Sequence, residues 1–334
     1  MNRLIRLTTT LVLSGLLAAC GTDSSPGGSS GGSSSGVGSG GSTVTTSAPA
    51  PTEGVTVSGV SSNKPAFSLR LTDAPLDDLV AVVLRFTGVE VRNVNGTWTS
   101  YSFDAANEID LLQLQGSKTA DLLIDMPLDV GDYDEIRLLV DETPMANYVD
   151  LGAGGVQDLE VKAADKGVSI KGDFSVTESR PASLVIDFDL RKSVKKARKS
   201  GEYSFKSKMR LVSFTTSRHI RGTVDPALLS SSADCSDDDV DTFNAVYVYE
   251  GHGAKLEDID ESKKKPRGPL TTTAVKYDSD SGSYRYEAGF LPEGEYTVAI
   301  TCNADLDDPE EGKDKLRFFG VRNATVKVKD IEFL

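Results

Sequence analysis

Residues 79–92 read Leu-Val-Ala-Val-Val-Leu-Arg-Phe-Thr-Gly-Val-Glu-Val-Arg, and apolar residues alternate along both halves of this stretch. The apolar residues that share one face of the first half are Val80, Val82, Leu84 and Phe86. After Gly88 the phase inverts, and Val89 and Val91 become the apolar set. A period of two indicates a strand, and an inversion of phase at a glycine indicates a β-bulge. The stretch predicts one long, bent strand.

The same alternation recurs toward the C-terminus of the chain. The apolar sets are Ile136, Leu138 and Val140; Leu184, Ile186, Phe188 and Leu190; Tyr296, Val298, Ile300 and Cys302; and Ala324, Val326 and Val328. Helical periodicity is limited to residues 109–114 and 193–199, where we expect short helices. Many short strands separated by turn residues predict an all-β fold of two antiparallel β-sandwich domains, residues 64–216 and 217–334.

The N-terminal segment has a different composition. Arg3 and Arg6 precede a short apolar run that ends in Leu17-Ala18-Ala19-Cys20, the pattern of a bacterial lipobox. The run is shorter than the about 20 residues of a membrane-spanning helix. We interpret residues 1–19 as a lipoprotein signal peptide and Cys20 as the residue that carries lipid, including palmitate. The alternative is an ordinary signal peptide with an incidental Cys20.

Residues 20–63 are rich in Gly, Ser, Thr and Pro and predict a disordered linker after the lipidated cysteine, because they offer almost no apolar surface to bury. Together these features predict a protein anchored to the membrane of the cell envelope through its lipid. Gly21 follows Cys20 where inner-membrane lipoproteins have Asp, which favours the outer membrane, on either its periplasmic or its outer face. In a bacterium with one membrane, the anchor would be the plasma membrane.

The remaining cysteines, Cys235 and Cys302, predict a disulfide in an oxidising compartment; free thiols or a metal site are the alternatives. Acidic residues cluster near both cysteines, so a disulfide would bring the clusters together. A calcium ion would then relieve their repulsion. The predicted ligands are Asp237, Asp239, Asp241, Asp305, Asp307 and Asp308. The alternative is that these acidic loops are solvated and keep the protein soluble.

Composition excludes several classes of function. A formal net charge of −14 argues against a nucleic-acid partner. His219 and His252 are too few and too isolated for the usual zinc sites, and no phosphate-binding glycine motif joins a strand to a helix. We therefore predict no catalytic residues, no enzyme activity and no cofactor other than calcium.

One basic stretch stands out in this acidic chain. Lys206, Lys208 and Arg210 alternate with apolar residues, which predicts that they share the outward face of a single strand. Such a face would meet an anionic glycan or an envelope protein. The alternative is a charged strand edge that discourages aggregation.

Four segments carry a resemblance to a known family: Ser68–Pro75 (SLRLTDAP), Thr87–Val91 (TGVEV), Ile109–Leu114 (IDLLQL) and Gly131–Leu138 (GDYDEIRL). Through them, residues about 66–215 resemble the bacterial lipoprotein module called domain of unknown function 4382. The resemblance implies an envelope β domain without an established activity, so it assigns no catalytic residues. Residues 219–334 more loosely resemble the prealbumin-like or carboxypeptidase-regulatory β-sandwich, through Leu291–Val298 (LPEGEYTV), which implies an accessory module.

The sequence therefore predicts a lipid-anchored, non-enzymatic module that binds or scaffolds a glycan, another envelope component or a partner protein. One alternative is an envelope polysaccharide hydrolase that uses a pair of carboxylates. Another is a purely structural spacer. A groove with aromatic residues and two close carboxylates would favour the hydrolase, whereas a charged surface would favour binding.

Overall fold

The structure is a computed structural model of the 334-residue chain. It describes residues 64–76, 79–162, 164–230, 235, 243–262 and 268–327, and the backbone of residues 331–333. The predicted signal peptide, Cys20, the linker, and Asp237, Asp239 and Asp241 lie outside these residues. In the part that is described, no helix has the length and apolar character needed to cross a membrane.

Residues 66–213 contain twelve strands. They are β1 (Ala66–Ala74), β2 (Ala81–Asn93), β3 (Trp98–Asp110), β4 (Ala120–Pro127), β5 (Gly131–Val140), β6 (Tyr148–Asp150), β7 (Val156–Val161), β8 (Val168–Val176), β9 (Ala182–Asp189), β10 (Val194–Lys196), β11 (Tyr203–Phe205) and β12 (Met209–Ser213). One α-helical turn, α1, spans Leu190–Ser193. Short 3-10 helices span Leu111–Gln113, Gly152–Gly154 and Ala164–Lys166.

These strands form two sheets around one apolar core. Sheet I has the order β12-β9-β1-β4, and sheet II has the order β10-β11-β7-β6-β2-β5-β8, with β3 paired to β2. Alternate residues of both sheets point into this core, among them Leu69 and Leu71 of β1 and Val89 and Val91 of β2. The period-two pattern of the sequence therefore marks the inner faces of a sandwich.

Residues 218–333 contain eight further strands. They are β13 (Arg218–Val224), β14 (Ala245–Glu250), β15 (Thr271–Ala274), β16 (Lys276–Asp278), β17 (Ser283–Leu291), β18 (Gly294–Thr301), β19 (Phe319–Val326) and β20 (Ile331–Phe333). Helix α2 spans Pro226–Ser230, and a 3-10 helix spans Ala304–Leu306. Sheet III has the order β16-β17-β13-β20, and sheet IV has the order β15-β14-β18-β19.

The central strands of sheet IV, β14 and β18, are buried on both faces. Val246 and Val248 of β14 face the core shared with sheet III. Tyr247 and Tyr249 of the same strand belong to a second cluster with Ile259, under the segments that follow β14 and β18. An apolar run without polar alternation is what a strand covered on both sides requires.

The prediction of an all-β, sandwich-like fold is confirmed. Most strand pairs are antiparallel; the pairs β1–β9, β7–β11 and β13–β20 are parallel. The bulge predicted at Gly88 is also confirmed, because the pairing of β2 with β3 and β5 shifts register between Phe86 and Gly88. No sheet in the described residues mixes strands from residues 66–213 and 218–333. The domain boundary at residues 216–217 stays a prediction.

Three details of the sequence prediction were wrong. Val80 precedes the strand and is 60% exposed. The helix expected over residues 109–114 is only the 3-10 turn Leu111–Gln113. The helix expected over residues 193–199 instead ends at Ser193, the last residue of α1, and Val194–Lys196 form β10, which pairs with β11. Short apolar segments do not distinguish a turn of helix from a strand by periodicity alone.

The bulge at Gly88 leaves no room for a side chain, and glycine is accommodated there because it has no Cβ. A Cβ at this position would lie 2.6 Å from the carbonyl oxygen of Tyr101 on β3 and 3.2 Å from Cδ1 of Leu139 on β5. We predict that Gly88→Ala lowers the free energy of unfolding by about 1–3 kcal/mol, since the neighbouring backbone must move. Urea denaturation of the purified protein measures this effect. Gly294→Ala is the control, because the nearest atom to its Cβ is 3.5 Å away. Equal stabilities of the two variants would contradict the prediction.

Candidate functional site

The outer face of sheet I packs against residues 218–333, and we call this contact the junction. Its apolar part is a small buried cluster of Val185, Val212 and Phe290. Gly289 lies so close to the other side that a Cβ on it would be 2.0 Å from the carbonyl oxygen of Gly116. Phe290 has a φ of 52°, which costs a bulky residue about 1–3 kcal/mol. Burial of its aromatic ring offsets that cost.

Basic side chains cross the junction beside this cluster. Arg210 forms an ion pair with Asp187 and donates to the carbonyl oxygens of Gly289 and Phe290, each at 3.3 Å. Lys208 forms an ion pair with Glu261, whose side chain is 8% exposed. Buried charges need such partners because they have lost their hydration. These contacts tie β12 and the loop before it to the C-terminal half.

The structure corrects the basic face predicted at Lys206, Lys208 and Arg210. Residues 203–205 form β11 in sheet II, residues 209–213 form β12 in sheet I, and the chain crosses between the sheets at residues 206–208. The three side chains therefore do not share one face of one strand. Lys208 and Arg210 are engaged at the junction, and Lys206 is exposed.

Three buried carboxyl groups lie near the ion pair of Arg210. Asp187 is paired with Arg210, and Asp189 lies 2.8 Å from Nζ of Lys192. Burial raises the pKa of Asp73 well above its usual range, and the charges of Asp187 and Asp189 raise it further. Burial and the two neighbouring carboxylates thus both favour the neutral form of Asp73, whereas Asp187 and Asp189 are each paired with a cation.

Beside these ion pairs lies a cleft of about 640 Å³, the junction cleft. Its lining includes four cations and four carboxylates: Arg191, Lys195, Lys196, Arg198, Asp305, Asp307, Asp308 and Glu310. Apolar side chains from both halves, such as Leu79 and Phe243, complete it. This volume lies in the range of small-molecule binding sites.

The basic side of the junction cleft is positioned by α1 and β10. The carboxylate of Asp189 accepts a hydrogen bond from the backbone N–H of Lys192 and so caps α1. In that helical turn Arg191 is buried, and its guanidinium donates to the carbonyl oxygen of Ala304 at 2.6 Å. Further along, Lys195 binds Glu310 at 2.7 Å. The cations thus contact the acidic segment that the sequence marked for calcium.

Arg198 extends this contact at the surface, with hydrogen bonds to Asp308 at 2.9 Å and to Glu311 at 2.7 Å. Its side chain is two-thirds exposed. Exposed pairs of this kind contribute up to about 1 kcal/mol each, so their main effect is on the position of the acidic segment.

The acidic side of the junction cleft follows the disulfide along the chain. Cys235 and Cys302 are bonded, which confirms that prediction. Carboxylates of the segment after Cys302 accept hydrogen bonds from its own backbone: the N–H of Asp308 donates to Asp314, and the N–H of Glu310 donates to Asp308, at 2.7 and 2.9 Å. These bonds fold the acidic segment against itself.

Asp307 is a buried member of this segment. Its carboxylate accepts a hydrogen bond from the hydroxyl of Tyr247 at 2.5 Å and another from the backbone N–H of Ile259 at 3.1 Å. Burial raises the pKa of Asp307 to about 6, although both hydrogen bonds and Arg191 act in the opposite direction. Asp307 therefore fixes the fold of the segment under the cleft.

Of the six predicted calcium ligands, Asp305, Asp307 and Asp308 are described. Asp305 is exposed, Asp307 is buried against Tyr247, and Asp308 binds Arg198. Throughout residues 64–327, where they are described, no three His, Cys, Asp or Glu side chains are grouped so that they could hold a metal ion. A calcium site stays a prediction.

The N-terminal part of the chain matches the model of a known protein family. Residues 64–207 match the family model described as domain of unknown function DUF4382. The resemblance found in the sequence is thereby confirmed. The DUF4382 segment supplies the basic side of the junction cleft, from Arg191 to Arg198, whereas the acidic side and the disulfide lie outside the match.

No curated protein matches the chain. Among solved structures, a Bacteroides ovatus protein described as an adhesin is 8% identical, with a TM-score of 0.17, over 79% of this chain and 88% of its own. The fimbrial anchor protein Mfa2 of Porphyromonas gingivalis is 9% identical, with a TM-score of 0.16, over 75% and 80% of the two chains. Nothing about fold or function follows from similarities this low.

The raised pKa of Asp307 predicts a pH dependence of stability. Because the folded protein holds the Asp307 proton up to about pH 6 and the unfolded chain loses it near the ordinary value of 3.8, unfolding becomes easier as the pH rises through this window. The effect amounts to about 3 kcal/mol at neutral pH. Asp307→Asn should remove this part of the pH dependence.

Urea denaturation between about pH 4 and pH 7, in the presence of a chelator, measures the difference between the wild-type protein and Asp307→Asn. The matched control is Asp305→Asn, which changes an exposed carboxylate two residues away. Parallel stability curves for the wild-type protein and Asp307→Asn would disprove the assignment.

Proposed function

We propose that the protein is a non-enzymatic binding module of the cell envelope, held to a membrane by lipid on Cys20, and that the junction cleft binds its partner. The observation that carries this proposal is the construction of the cleft. Its basic side comes from the DUF4382 segment, its acidic side comes from the C-terminal half, and contacts such as Arg191 to Ala304 hold the two sides together. A binding site that is already formed avoids the cost of ordering on association.

The lining of the cleft suits a charged envelope component, such as a charged glycan or a segment of a partner protein. Lys196 is exposed, and its ammonium lies 5.5 Å from the centroid of the Tyr203 ring, a cation–π distance. Asp305 is exposed on the acidic side. A partner with charges of both signs would find complementary groups beside an apolar surface.

The carboxylates of the cleft favour binding over hydrolysis. A glycoside hydrolase needs two carboxyl groups that act on one bond. Asp307 is committed to Tyr247, Asp308 to Arg198 and Glu310 to Lys195. Asp305 is the carboxylate of the described lining without such a partner.

A charge reversal in the cleft tests the proposal. We expect Lys196→Glu to lower retention of the purified, lipid-free protein on isolated cell envelopes by about tenfold, because a cation and its cation–π contact are lost. Lys199→Glu makes the same change of charge at an exposed lysine outside the cleft lining and should bind like the wild-type protein. Equal retention of all three proteins would exclude the cleft and favour the spacer. Release of reducing sugar ends by the wild-type protein would favour the hydrolase.

The tether has its own test. Cells grown with a palmitate analogue should label the wild-type protein and the variant Thr22→Ala, whereas Cys20→Ala should carry no label, because the thiol that accepts the lipid is absent. Fractionation of the same cells shows which membrane holds the labelled protein. A label that persists in Cys20→Ala would exclude Cys20 as the anchor.

A further inference from the structure

A second cavity, of about 450 Å³, is lined by β13, β15, β16, β17 and the segment 115–116. It shares no lining residue with the junction cleft. We call it the basic cavity, because its charged lining residues are Arg221, Lys276, Arg285 and Glu287. Its volume again lies in the range that accommodates a small molecule.

The charge of this cavity is opposite to that of the protein. Three cations face one carboxylate, whereas the whole chain has a formal net charge of −14. A concave surface lined by an excess of one sign concentrates the field of its charges and attracts ions of the other sign. In an acidic protein such an excess is a local feature of sheet III and not a consequence of composition.

The strand register places two of the cations directly opposite each other. Lys276 of β16 pairs with Arg285 of β17 in the antiparallel ladder, so both side chains lie on the same face of the sheet. Like charges in directly opposed positions destabilise a sheet. Asp278, paired with Nε of Arg285 at 3.2 Å, offsets part of this repulsion, and an anion bound between the two cations would reduce it further.

Existing contacts hold the cations in position and leave donors for a ligand. Nζ of Lys276 donates to the neutral amide oxygen of Gln115 at 2.7 Å, which leaves its charge uncompensated. In the described residues, Arg285 uses only Nε, in contacts with Ser281, Ser283 and Asp278. Its two terminal nitrogens are therefore donors for a ligand.

The third cation is already balanced. Nη2 of Arg221 lies 2.8 Å from Oε1 of Glu287, directly opposite it in the ladder between β13 and β17. This ion pair fixes the wall of the cavity beside Lys276 and Arg285. Arg285 is itself paired with Asp278 through Nε at 3.2 Å, so the excess positive charge resides on Lys276, and Arg285 contributes its two terminal nitrogens as donors.

We propose that the basic cavity is a binding site for a small oxyanion, a carboxylate or phosphate group on a compact molecule, with Lys276 and Arg285 as its principal ligands. A guanidinium presents forked donors that match both groups, and an ammonium adds a second positive charge. The site is independent of the junction cleft and would give this module a second ligand.

Calorimetric titration of the purified protein with D-glucuronate, glucose 6-phosphate and glucose tests the proposal. We expect at least one of the two anions to bind with a dissociation constant of about 1 mM or lower and about tenfold more tightly than glucose. Binding of glucuronate alone identifies a carboxylate site, binding of the phosphate alone identifies a phosphate site, and binding of both identifies a general oxyanion site.

The double variant Lys276→Gln, Arg285→Gln should lower the affinity for the bound anion by about tenfold or more. Lys171→Gln on sheet II is the control and should leave that affinity unchanged. Removal of the opposed like charges should leave the double variant folded, which its unfolding midpoint checks. The proposal is overturned if neither anion binds the wild-type protein, or if the folded double variant binds as tightly.

Discussion

The pairing of Arg210 with Asp187 is the interaction on which the arrangement of the two halves depends. Both groups lie on the outer face of sheet I, where a two-layer sandwich would normally meet water. Because residues 218–333 cover this face, the guanidinium must satisfy its donors within the protein. It does so through the carboxylate and through the carbonyl oxygens of Gly289 and Phe290. An unpaired charge there would carry a desolvation cost of several kcal/mol.

That constraint explains neighbouring features that look unfavourable on their own. Phe290 has a positive φ, and Gly289 lies against Gly116 where no side chain fits. Both bring the end of β17 close enough for its carbonyl groups to reach Arg210. Burial raises the pKa of Asp73, and the charges of Asp187 and Asp189 raise it further. The junction therefore combines apolar burial with an electrically balanced set of groups.

The carboxylates of the acidic segment after Cys302 could either coordinate a metal ion or accept hydrogen bonds and ion pairs. Its carboxylates are close together in the sequence, and this clustering was the basis for predicting a calcium site. In the folded chain, backbone N–H groups bind several of them, and so do Lys195 of β10 and Arg198. The same oxygen atoms that could coordinate a metal ion can accept hydrogen bonds and ion pairs. Spacing along the chain does not distinguish these uses, since the partners come from residues about 110 positions away.

The sequence by itself determined the all-β class, the bulge at Gly88 and the match of the N-terminal module. Period two, a glycine at a phase inversion and local motifs are all properties of neighbouring residues. Only the tertiary structure decided that Lys208 and Arg210 are engaged at the junction and that Lys276 and Arg285 oppose each other. Alternation shows which residues share a face of a strand. Whether water, a second sheet or a ligand covers that face depends on contacts between distant segments, and those are fixed only when the whole chain folds.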